Sequence, residues 1–139
     1  MFKKVHIFRV KPRQELASEI ASYCRQSGIS SGVVIGIIGS VESASLNFLK
    51  KLPGKYETRE YKGPLEIIGA QGSIALKGSE LIIHIHVQLS GTDECHGGHL
   101  VEARVFSTAE VMIGELDYQL HRYADDYTGL NELQSQGLL

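Results

Sequence analysis

The chain lacks most of the features that would place it quickly in a functional class. It has two cysteines in 139 residues, Cys24 and Cys95. Two are too few for the disulfide framework of a small secreted scaffold. Cys24 falls within a helical pattern and reads as a small buried group. No run of about 18 apolar residues occurs, so no stretch predicts a membrane-spanning helix. The opening, Met1 to Ile7, is a strand pattern interrupted by charge, which does not fit a secretory leader. These traits predict a cytoplasmic protein. There is no internal repeat and no low-complexity tract. The excess of positive charge that usually marks a nucleic-acid binder is also missing, since the net charge is −2. The charge is nevertheless uneven: residues 1–62 carry +6 and residues 63–139 carry −8. Lys50, Lys51, Lys55 and Arg59 are the candidate nucleic-acid contacts, with a solvated polar edge as the plainer reading. Tyr118, Tyr123 and Tyr127 in the tail are too sparse for a base-stacking platform.

What is present is strand pattern, one helix and a cluster of histidines. Val5 to Val10 reads as a first strand. Pro12 marks a helix start, and Leu16, Ala17, Ile20, Ala21 and Cys24 share one helical face, with Gly28 as the C-terminal cap. The β-branched run 32–41 predicts a buried strand, and 43–49 another. Gly36 and Gly39 do not form a phosphate loop, because neither Gly-Lys-Ser/Thr nor a helix pattern follows. Lys50 to Lys55 reads as a loop, 56–61 as a polar edge strand and Gly63-Pro64 as a turn. Residues 65–76 form one bent strand or two short ones. After the histidine strand, 100–106 and 108–116 predict two more. The sum is an α+β fold: an antiparallel sheet of six to eight strands packed by one main helix. Residues 1–116 form a single domain, and 117–139 are a C-terminal extension packing on the domain or on a neighbouring subunit. One helix leaves a face of so broad a sheet uncovered, which predicts an oligomer.

Four of the six histidines fall between His84 and His99. Leu81 to Leu89 alternates, with Ile83, Ile85 and Val87 on one face and His84 and His86 on the other. Ser90 to Asp93 is turn chemistry. A returning strand brings His99, after Gly97-Gly98, back beside the first two. A His-x-His pair is common on solvated strands; the third imidazole at hairpin distance sets this one apart. Three imidazoles on one face suit zinc or a similar divalent metal, with a coordination position left for water, an anion or a substrate. His96 and Cys95 are possible additional ligands. For a metal-dependent enzyme, Glu102, Glu110 and Glu66 are the candidate general bases and Cys95 a candidate nucleophile. Strand parity turns Glu102 away from His99 unless a bulge intervenes.

The order of motifs resembles the plants and prokaryotes conserved (PPC) domain, in its free-standing prokaryotic form. The resemblance rests on Gly36–Leu46, Gly63–Ile68, Gln71–Ile74, His84-Ile85-His86-Val87, Gly97–Glu102, Thr108–Val111 and Asp126–Leu133, and covers nearly the whole chain. It implies a compact domain built on an antiparallel sheet that assembles as a homotrimer, with His84, His86 and His99 matching the prokaryotic metal pattern. Plant members often lack those histidines and contact DNA through a separate Arg-Gly-Arg-Pro type segment, which this sequence does not contain. The expected function is a trimeric metal-binding module with a ligand-binding or regulatory role. DNA association, a regulatory protein partner and metal-dependent catalysis remain as alternatives.

Overall fold

The computed structural model describes residues 1–134. The elements in chain order are β1 (Phe2–Val10), α1 (Leu16–Ser27), β2 (Gly32–Lys51), β3 (Lys55–Lys77), β4 (Glu80–Ser90), β5 (Cys95–Leu116), β6 (Arg122–Ala124) and β7 (Asn131–Leu133). The main sheet runs β1-β5-β2-β3-β4, and β4 also pairs with β5, so four of its strands close on themselves. All these pairings are antiparallel. This is the α+β architecture expected from the pattern.

β5 organises the sheet. Its first residues, Cys95 to His99, pair with β4, and its last, Ala109 to Leu116, pair with β1. Its other edge pairs with β2 along most of its length. The apolar parity of the strands points inward: Ile37, Leu46, Leu65, Ile74, Leu89, Val105 and Ile113 are fully buried. α1 covers one side with Leu16, Ile20 and Cys24, spaced four apart along a single face. Burial pushes the Cys24 thiol up to about 11, which keeps it protonated and inert.

Glu15 caps α1. Its carboxylate accepts from the backbone N–H groups of Ala17 and Ser18, and also from Ala103 on β5. One side chain thus satisfies the helix start and ties it to the sheet. Gly28 closes the helix in the left-handed conformation, with φ 68°.

The strands are longer than the sequence pattern suggests, and bulges are the reason. Gly63-Pro64 is not a turn between elements. β3 continues through it, with Leu65 opposite Val41 and Lys62 opposite Ser43, so β3 carries one extra residue there. A bulge tolerates the missing proline N–H. Likewise 100–106 and 108–116 are one strand. Ser107 sits in a register shift, where its hydroxyl lies 2.7 Å from that of Ser40. Gly39 opposite this bulge has φ 147°, and a Cβ there would fall 2.0 Å from the Thr108 carbonyl oxygen.

The tail returns over the domain. Leu76 donates its N–H to Leu120 O, and β6 pairs with β7 above β3. Residues 135–139 of the expected extension lie outside the described residues. On the face away from α1, Val5 and Ile7 on β1 and Ile38 on β2 are exposed, on either side of β5. Among the described residues, no helix is long and apolar enough to cross a membrane.

Candidate metal centre

Strand parity and register assemble the histidines. On β4 the alternating residues Ile85, Val87 and Leu89 are buried, so His84 and His86 face outward. β5 returns antiparallel and sets His99 directly opposite His86. On the other side, β3 lies close against β4, with Gly72 opposite Ile85. A Cβ on Gly72 would fall 2.2 Å from His84 O, so glycine allows this approach.

The three rings are mutual neighbours. Centroid separations are 5.0 Å for His84–His86, 4.9 Å for His84–His99 and 5.6 Å for His86–His99. One ligand nitrogen from each lies within 4.8 Å of the others. The Nε2 atoms of His84 and His86 are 3.1 Å apart. Two nitrogens on one tetrahedral zinc, each at about 2.0–2.1 Å, stand about 3.3 Å apart. The His84–His86 spacing matches that value, and the three histidines form a group that could hold a metal ion.

The electrostatics favour the neutral, ligating form. Burial, then the neighbouring His99, His86 and Arg122, push His84 down to about 4. His99 is lowered in the same way, by burial first and then by His86 and Arg122. Burial disfavours a charged ring, and adjacent positive charge adds to that. Both rings hold their lone pairs at neutral pH, as a metal ligand must.

Arg122 was not visible as a site residue in the sequence. It sits in a polar tail with no periodic pattern around it, and only the pairing of β6 over β3 brings it here. Its Nη2 donates to Ser73 Oγ at 2.7 Å and its Nη1 to Asn131 O at 2.6 Å. Nη2 also lies 3.5 Å from His84 Nδ1. Burial shifts the guanidinium pKa downward. Beside His84 and His99 lies a cavity of about 370 Å³ that Arg122, Tyr56, Leu130 and Glu132 also line.

The other candidates lie elsewhere. Cys95 is exposed. His96 is paired with Leu89 rather than with a histidine, contacts Glu94 Oε2 at 2.5 Å and stacks on Tyr61 at 4.0 Å. Neither belongs to the three-histidine group. Glu102 stands opposite Ser45 across a register shift, so the bulge exists; the residue lines a separate recess of about 80 Å³ with Glu15, Glu60 and Arg104. Glu110 faces Arg9 and Ile38, and Glu66 pairs with Ser40 and Ser90. Lys50, Lys51 and Lys55 meet at the β2–β3 hairpin, but Glu57 sits among them, 2.6 Å from Arg59 Nε and 3.8 Å from Lys50 Nζ.

Comparison with known proteins gives a consistent result. A metal-containing protein of Archaeoglobus fulgidus superposes with a TM-score of 0.89 at 30% identity, covering 97% of this chain and 96% of that one. A plant- and prokaryote-conserved (PPC) protein of Pyrococcus horikoshii gives 0.88 at 26% identity, over 99% of this chain and 96% of that one. Among curated proteins, the bifunctional protein GlmU of a Synechococcus strain is 29% identical over 133 residues, which is 94% of this chain and 20% of that protein. The chain thus spans about a fifth of the length of the curated relatives it matches. Residues 1–117 match the profile of the Plants and Prokaryotes Conserved (PCC) domain. With fold and sequence in agreement over most of its length, this chain belongs to the Plants and Prokaryotes Conserved domain family.

Proposed function

We propose that this protein is a metal-binding module in which His84, His86 and His99 hold one divalent cation, zinc first among them, with a coordination position open to an outside ligand. The observation that carries the reading is the convergence of three imidazoles whose ligand nitrogens lie within 4.8 Å of one another. The lowered pKa values of His84 and His99 support it, as does the metal-containing relative from Archaeoglobus. Three protein ligands suit capture of a ligand or a regulatory role better than a closed structural site. Bound there, a metal would polarise a carbonyl or lower the pKa of a bound water. The carboxylates first considered as bases stand away from the histidines, so the reading favours binding over catalysis.

The same reading includes a homotrimer. Its support is the exposure of Val5 and Ile7 on β1 and of Ile38 on β2, on the sheet face away from α1, apolar side chains that a second copy would cover. DNA association is the alternative, resting on the exposed lysines of the β2–β3 hairpin; Glu57 offsets part of their charge.

Cobalt substitution tests the metal reading. The expected outcome is a visible spectrum of intense d–d bands from a four- or five-coordinate ion, saturating at one equivalent. Added azide or acetate should perturb it. A six-coordinate, weakly absorbing spectrum, or bands unchanged by any small anion, would argue against an open three-histidine site.

A further inference from the structure

We infer that the cavity beside the histidines binds a small organic carboxylate, with Arg122 as the anchor for its head. The inference rests on the metal-site reading for a second point of attachment. Arg122 is 8% exposed, yet its Nε has no hydrogen-bond partner among the described residues. A buried donor left unmade costs about 1–3 kcal/mol, and more when charged. Its partners, Ser73 Oγ and Asn131 O, are neutral. Glu132 lines the same cavity and its charge partly offsets the downward shift of the Arg122 pKa, but no hydrogen bond joins the two side chains among the described residues.

The contact with His84 sharpens the case. A guanidinium only donates, so His84 Nδ1 must accept from Nη2 and the ring proton then sits on Nε2. A metal held through Nε2 would leave the ring proton on Nδ1, and Nη2 would then lack that acceptor. A metal would also add two positive charges beside a guanidinium that has no bonded carboxylate. Both changes call for an anion. A carboxylate matches the guanidinium in charge, and the N–H groups that Nη1 and Nη2 do not spend on Asn131 O and Ser73 Oγ are the donors it would take. The cavity, about 370 Å³, lies near the lower end of the range for small-molecule sites. Ile82, Ile83, Leu130 and Tyr56 give the rest of the ligand an apolar wall.

Phenylacetate and its neutral isostere phenylacetamide test this, each titrated into zinc-loaded and metal-free protein while the methyl NMR signals of Ile82, Ile83 and Leu130 are followed. The acid should shift those methyls and bind at least about tenfold more tightly than the amide, the ratio expected for a charge-assisted bond. Arg122→Gln should reduce the preference to about twofold, and Arg122→Lys should restore part of it. Equal binding of acid and amide, or shifts confined to other methyls, would overturn the inference. If Arg122→Gln fails to fold, the acid-to-amide ratio in the native protein decides alone. Zinc uptake without acid preference removes the inference and leaves the metal reading standing. Acid preference in a protein that takes up no zinc removes the metal reading and keeps Arg122 as the anchor.

Discussion

Acidification should destabilise the metal-free protein through His84. Burial first, and the neighbouring His99, His86 and Arg122 after it, hold this ring down to about 4, against about 6.5 for a free imidazole. Between those values the unfolded chain binds a proton at His84 and the folded chain does not. Stability therefore rises with pH across this window, is fully present above about 6.5, and is lost as pH falls toward 4. Linkage assigns about 1.8 kcal/mol to the passage from pH 7 to pH 5. Solvent screening at this half-buried side chain reduces that to about 1 kcal/mol. The assay is urea unfolding by circular dichroism in EDTA at both pH values, beside His84→Gln. The native protein should lose about 1 kcal/mol more than the variant, at unchanged m-value. Zinc at about 100 times its Kd should then stabilise the native protein by about 2.7 kcal/mol at pH 7, with little effect on the variant. Parallel pH profiles for the two proteins would mean that the ring is as well solvated folded as unfolded, and would refute the reasoning.

Other expectations follow from single contacts. Glu15→Ala removes the α1 cap and leaves the Ala103 N–H without its acceptor; a loss of about 2–4 kcal/mol is expected, read as a lower urea midpoint. Gly72→Val forces β3 away from the His84 carbonyl, so zinc affinity measured against a chelator should fall along with thermal stability. Replacing Lys50, Lys51 and Lys55 together with glutamine should leave duplex DNA affinity and its salt dependence unchanged in a fluorescence anisotropy titration. If the hairpin held three phosphates, the salt slope would drop by about 2.7.

The fold was legible wherever local pattern and tertiary environment agreed. Leu16, Ile20 and Cys24 mark one helical face, and the alternation of Leu81 to Leu89 marks a strand with its histidines outward. Element boundaries were less legible, for a common reason. Gly63-Pro64 and Ser107 look like breaks because their residues resist regular pairing, but a partner strand that runs past them turns each into a bulge. The β4–β5 hairpin could be read from the turn after Leu89, but the pairing of β5 with β2 that closes the sheet was hidden, since it depends on which edges meet and not on any local periodicity.

The candidate site divides along the same line. His84, His86 and His99 lie on two strands joined by a short turn, so period-two parity and antiparallel return bring them together. Arg122 reaches the same place from 23 positions beyond His99, through a three-residue strand in a polar tail. Nothing local marks it. The bulge at Val101 likewise undoes the parity that turned Glu102 away, though the residue still ends in a different recess.

The central claim is that the three histidines hold a metal, and elemental analysis of untagged protein tests it most directly. Native protein should carry close to one zinc per chain, and a His84→Ala/His86→Ala variant almost none while keeping its circular dichroism spectrum. A folded native protein that holds no metal, even after incubation with zinc and removal of the excess, would contradict the account.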